Sequence, residues 1–186
     1  LTGWIVFPLS LLCAVAFSKL SNQYKSSTLF YSIITFFLII IFLYGFVLFP
    51  NAEALSPHVN SDWLTMKLGA KYTHWIAVYR TWIHTLFFIT AELWAQVVIF
   101  ILYWGFANHI CRVKEAKRTY TLFIAAGDLA TVVAGPLVLH YVMKFSSGDF
   151  TSTLQSLLSY VLIAGIGIIT LYWWMNKYVL SNKRYF

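Results

Sequence analysis

Charge is what this sequence most lacks: charged residues fill 10% of its 186 positions, and only 6 residues are acidic. A globule of this length in water needs a polar shell, so the scarcity excludes an ordinary soluble domain. Cysteine is nearly absent as well. The 2 present, Cys13 and Cys111, sit in or beside apolar runs with no metal-ligand spacing. That excludes a disulfide framework and a cysteine zinc site, and both read as small buried residues. His74, His84, His109 and His140 are scattered over several segments and read as interfacial or hydrogen-bonded side chains. Neither a Walker lysine loop nor a G-x-G-x-x-G turn occurs. A nucleotide handled here is not held by a P-loop, no cofactor is expected, and no covalent chemistry is implied.

What fills the chain instead is apolar: 60% hydrophobic residues, 19% aromatic, and a mean hydropathy of +0.74. Leu29 to Phe49 and Leu154 to Met175 carry no charged residue. Each run exceeds the roughly 20 residues that a helix rising 1.5 Å per residue needs to cross a hydrocarbon core of about 30 Å. Five spans are expected, at about 2–17, 29–49, 80–107, 120–142 and 154–175, within one helical domain of residues 1–186. A polar loop, 50–74, separates the second from the third, with a short surface helix expected around Asp62 to Leu68. The net charge of +7 lies mainly between apolar runs, so it reads as membrane topology and not as nucleic-acid binding. Of the 13 Lys and Arg residues, nine fall in one set of connections and four in the other. The positive-inside rule then puts residue 1 outside and residue 186 in the cytoplasm. Tyr172, Trp173, Trp174 and Tyr178 fall at the last inner boundary, where amphipathic rings favour the headgroup level. Leu1 opens within an apolar stretch with no basic segment ahead of Ala14-Val15-Ala16, so a truncated span is expected there, not a signal peptide.

Two acids fall inside spans, Glu92 in the third and Asp128 in the fourth. A charge near mid-membrane is costly, so such residues usually face a cavity, a partner or a substrate path; a structural pair or a protonated acid is the alternative. At about 100° per residue, Thr81, Thr85, Gln96 and Tyr103 lie within roughly 40° of Glu92. That stripe suits the wall of a water-filled path or, equally, a set of interhelical hydrogen bonds. Around Asp128, Gly127, Thr131 and Gly135 form a small-xxx-small series that permits close helix contact. Pro136 removes one backbone donor and is expected to kink or loosen the helix.

Several blocks resemble one family. Ala91-Glu92-Leu93-Trp94, Trp104-Gly105-Phe106-Ala107-Asn108 and Glu115-Ala116-Lys117-Arg118 look like the bacterial and plastid nucleotide transporters of the ADP/ATP translocase type. Lys19-Leu20-Ser21-Asn22 and Tyr172-Trp173-Trp174-Met175-Asn176-Lys177 agree in order and spacing. The resemblance covers nearly the whole chain. It implies an all-α membrane protein whose five transmembrane helices form most of one six-helix half of a major-facilitator-like transporter, incomplete at both ends relative to the parent carrier. Such carriers exchange ATP for ADP, or import nucleoside triphosphates with protons, in energy-parasitic bacteria and plastids. The partners implied are the nucleotide, the lipid bilayer and the missing C-terminal half, with no nucleic acid. The membrane implied is a bacterial inner membrane. Glu92 matches an acidic position implicated in transport, and Arg80 a basic residue at the outer mouth of the same span. Asp128 departs from the family's usual Asn, and the 50–74 loop matches little.

The expected function is nucleotide transport by alternating access, with Arg80, Thr85, Glu92, Gln96 and Asp128 as binding or gating residues and no enzymatic activity. A carboxylate accepts hydrogen bonds only, so Asp128 suits a guanine edge or a proton relay better than an adenine site. A proton-coupled carrier of other solutes, or a truncated protein that transports nothing, remain the rival readings.

Overall fold

The computed structural model describes residues 2–57, 63, 64, 66, 67, 72–111, 116–145 and 150–181. Among them every regular element is helical: α1 (Gly3–Ser21), α2 (Ser26–Leu48), α3 (Ala52–Leu55), α4 (Thr73–Arg80), α5 (Trp82–Asn108), α6 (Ala116–Phe145) and α7 (Phe150–Val179). Helices α1, α2, α5, α6 and α7 are each long and apolar enough to cross a bilayer. This is an all-α membrane architecture. The exposed Trp, Phe, Leu and Ile side chains that cover it are what a lipid-facing surface requires.

The packing follows from residue spacing. Along α2, Phe30, Ile34, Phe37, Leu38, Ile41, Tyr44 and Gly45 recur every three or four positions, and all are buried. Along α7, Leu158, Gly165 and Tyr172 recur every seven and are the buried positions of that helix. These two faces meet antiparallel. Leu38 fills the space over Gly165, and Leu158 fills the space over Gly45, so a β-carbon at either glycine would collide with the leucine opposite. Lipid tails are as apolar as leucine, so close packing of this kind, and not removal from water, holds spans together. The Gln155 side chain adds a bond, its Nε2 donating to the Gly45 carbonyl at 3.4 Å.

Helix α5 closes the other side of α2. The Phe87 ring stacks on Tyr44 at 4.1 Å, and Trp94 meets Phe37 edge-on at 5.7 Å. Helix α1 lies along α5, with Cys13 and Phe17 against the core; Cys13 and Cys111 are both half-buried and free. The lightest packing belongs to α6, which leans on α7 and meets the end of α5 through Phe123 against Tyr103, 5.8 Å apart, and Tyr120 donating to Asn108. From Thr121 to His140 only Phe123 is not exposed, and the helix continues through Pro136.

Tyr172 faces inward and not toward lipid: it is 6% exposed, stacked on Phe30 at 3.7 Å and edged by Tyr31 and Phe106. It lies on the face of Leu158 and Gly165, which turns it into the core. Its neighbours Trp173, Trp174 and Tyr178 are exposed, with Lys177 Nζ 4.7 Å from the Trp173 ring centre. Helix α5 begins at Trp82, because Thr81 leaves helical geometry at φ −106° and ψ 36°, so Arg80 is the last residue of α4, two positions ahead of α5. Within α5, Ala95–Tyr103 winds as π-helix, with its bonds reaching five residues back. Of the expected surface helix at 62–68, Trp63, Leu64, Met66 and Lys67 are helical and the rest lies outside the described residues.

Candidate functional site

The break at Thr81 builds the site. A continuous helix would carry Arg80 and His84 one turn apart on a single face. The non-helical Thr81 lets α4 turn away from α5, and a cleft of about 230 Å³ opens at the junction. Arg80, Thr81 and His84 line it together with Glu53 of α3 and Ser56, which caps α3, and with buried Ile83. Helix α3 starts two residues after Pro50, which lies just past the end of α2 and cannot continue it, and the Trp82 indole ties α3 down by donating to the Leu55 carbonyl at 3.2 Å.

The cleft's lining is mostly apolar, with a few polar groups set into it. The Ser56 hydroxyl donates to the Ala52 carbonyl at 2.6 Å and the Thr81 hydroxyl to Ala77 at 2.9 Å. Each therefore offers only lone pairs to anything else. Glu53 adds a carboxylate, an acceptor; Arg80 adds a guanidinium, a donor in a planar fork. His84 is positioned from behind, with Nδ1 3.4 Å from the Tyr44 hydroxyl and the Phe49 ring centre 5.8 Å away. Tyr44 is itself buried and held by Phe87, so a core contact reaches through to the cleft wall.

Of the five binding or gating residues expected from sequence, only Arg80 lines this cleft. Thr85 is half-buried on α5, its hydroxyl donating to the Val78 carbonyl at 3.4 Å. Glu92 is half-buried, between Ala91 and Trp94, which line an apolar crevice of about 160 Å³ with Ile41, Phe87 and Leu158. Gln96 is exposed on α5, and Asp128 is exposed on α6. Among the described residues none of these five is bonded to another of the five. The expected polar stripe also shortens: Thr81 precedes the helix, and π-winding from Ala95 turns the chain by less than 100° per residue, so Tyr103 drifts out of the phase computed from Glu92 while Gln96, at the start of the π segment, keeps it. A larger hollow of about 420 Å³ is walled, among the described residues, by Trp4, His74, Trp75 and Val78.

Sequence reasoning missed His84 and Glu53. His84 stands four residues after Arg80, a spacing that signalled the pair, whereas Glu53 carried no signal within a loop of scattered polar residues. Among the described residues no three His, Cys, Asp or Glu side chains come together as a metal would need.

Comparison with known proteins gives a match along the whole chain, residues 1–186, to the family described as TLC ATP/ADP transporter. The chain is 34% identical over 189 residues to the chloroplastic ADP,ATP carrier protein 2 of Arabidopsis thaliana, covering 99% of this chain and 31% of that protein. It is 32% identical to ADP,ATP carrier protein 1 of Chlamydia muridarum, covering 98% of this chain and 36% of that protein. To ADP,ATP carrier protein 4 of Rickettsia typhi it is 36% identical, covering 97% of this chain and 37% of that protein. The chain thus spans about a third of the length of the curated relatives it matches. No solved structure matches it.

Proposed function

The chain belongs to the TLC ATP/ADP transporter family, and from that premise we propose that it supplies five spans of a carrier moving nucleotides across a membrane by alternating access, through ATP/ADP exchange or proton-coupled import of nucleoside triphosphates. The observation that carries this reading is the unbroken family match laid over five membrane-length helices. The five spans are most of one six-helix half of a major-facilitator-like plan, and the site lies between that half and its counterpart, near mid-membrane. The lysine and arginine bias supports an orientation with residue 1 outside and residue 186 in the cytoplasm, in a bacterial inner membrane.

In that orientation the cleft at Thr81 opens on the outer side. Arg80 serves there for capture of phosphate or for gating. Glu92, half-buried beside the crevice between α2, α5 and α7, binds substrate amines or switches ion-pair partners as the carrier alternates. Thr85 and Gln96 flank Glu92 on α5 and complete the polar lining. Asp128 is a carboxylate on the most exposed span, where lipid is a poor neighbour. Its role is a proton relay or recognition of a guanine edge.

The test is uptake of labelled ATP, GTP, UTP and CTP by cells expressing the complete gene product that carries this chain. It is run with and without internal nucleotide, and with a proton uncoupler. Saturable ATP uptake that depends on internal ADP supports exchange. Uncoupler-sensitive uptake favouring GTP supports the role of Asp128. Absence of nucleotide uptake by well-inserted protein overturns the proposal.

A further inference from the structure

The cleft at the head of α5 is built from segments well separated in sequence: Glu53 on α3 and Ser56 at its C-cap, Arg80 at the end of α4, and Thr81 and His84 beside the start of α5. Its volume, about 230 Å³, equals about eight waters at roughly 30 Å³ each. That holds a phosphate and the sugar beside it, but not a whole nucleoside triphosphate. Its polar groups differ in kind. Arg80 offers donors; Glu53, with the lone pairs of Ser56 and Thr81, offers acceptors.

An inorganic anion alone would meet repulsion from Glu53, and a cation alone would meet Arg80. A ligand that is anionic at one end and bears hydroxyl donors at the other satisfies both kinds of group. The geometry points to a docking subsite for the ribose-phosphate part of a nucleotide, in which Arg80 and His84 hold phosphate oxygens and Glu53 accepts from the ribose hydroxyls. Tyr44 donates to His84 Nδ1 in this arrangement, leaving the proton on Nε2 as the donor. The assignment rests on the nucleotide-carrier reading and adds to it a contact to the sugar, two residues that recognise substrate, and a first stop at the outer mouth.

The experiment measures KM and kcat for ATP and for 2′,3′-dideoxy-ATP with the complete gene product in proteoliposomes, comparing Arg80→Gln, His84→Gln and Glu53→Gln with wild type. Loss of a charge-assisted bond to phosphate raises the ATP KM about tenfold in Arg80→Gln and a few-fold in His84→Gln, with kcat held. Wild type prefers ATP to its dideoxy analogue, and Glu53→Gln narrows that preference, because a neutral amide oxygen accepts more weakly than a carboxylate. Glu53 is exposed on a four-residue helix, so its variant decides the matter even where another variant fails to insert. ATP constants within twofold of wild type in Arg80→Gln and His84→Gln overturn the assignment, as does a wild type indifferent to the ribose hydroxyls. Wild-type protein that inserts but takes up no nucleotide overturns the carrier reading beneath it, whereas normal uptake with unchanged variants overturns the subsite alone.

Discussion

Leu38 of α2 sits over Gly165 of α7 so closely that its whole isobutyl group occupies the space of an absent β-carbon, with Cδ1 2.9 Å and Cγ 3.1 Å from where that atom would stand. Seven residues away on each helix the roles are exchanged, Leu158 of α7 lying over Gly45 of α2. The two contacts set the antiparallel register of the central pair.

Gly165→Ala is expected to destabilise the bundle, because Leu38 must leave its position as a unit. Overpacking of this kind costs about 1–3 kcal/mol, offset by about 1 kcal/mol of improved helix propensity. Gly45→Ala meets only one methyl of Leu158 at short range, so its two terms nearly cancel. Gly167→Ala, with nothing within 4 Å, keeps only the propensity gain and serves as the control without a collision. Thermal unfolding of the detergent-solubilised protein checks the order Gly165→Ala, Gly45→Ala, Gly167→Ala. Adding Leu38→Ala to Gly165→Ala relieves the collision and recovers part of the loss.

Tyr172→Ala empties the space between Phe30, Tyr31 and Phe106, a loss of about 3 kcal/mol by the scale of aromatic core truncations. Tyr172→Phe keeps the stack and stays near wild type. Trp174→Ala, on the exposed side of the same helix, shifts the unfolding midpoint little. Equal losses from Tyr172→Ala and Trp174→Ala would contradict the placement of Tyr172.

Asp128→Asn is expected to leave stability within about 0.5 kcal/mol, since the side chain is exposed and lies away from any buried contact of α6. Its effect belongs to transport: a lower ratio of GTP to ATP uptake, or weaker dependence on the proton gradient. If nucleotide preference and uncoupler sensitivity both stay unchanged, Asp128 has neither role.

Thiol labelling separates the water-filled reading of α5 from a purely structural one. With Cys13 and Cys111 replaced by Ala, Gln96→Cys is expected to react with a charged membrane-impermeant reagent, whereas Val97→Cys and Val98→Cys, both buried against α2, stay protected. Protection of position 96 in both the presence and absence of substrate counts against a polar path along this helix.

Much of the fold is written along the chain itself. Apolar runs long enough for a bilayer, separated by basic connections, determine five spans because backbone amides inside lipid must bond within their own helix. Blocks such as Ala91-Glu92-Leu93-Trp94 carried the family, since local order survives in sequence. The same spacing misled where winding departs from 3.6 residues per turn: the stripe from Glu92 to Tyr103 assumed one uniform helix, and π-winding from Ala95 breaks its phase. Tyr172 reads as interfacial among its aromatic neighbours, because its burial depends on which face of α7 meets α2. Only the tertiary structure decided that Leu38 and Leu158 seat on distant glycines, and that Glu53, Arg80 and His84 share one cleft. Composition and periodicity act within a segment, whereas these contacts join residues tens of positions apart, whose meeting depends on helix rotation, the break at Thr81 and the packing of side chains between spans.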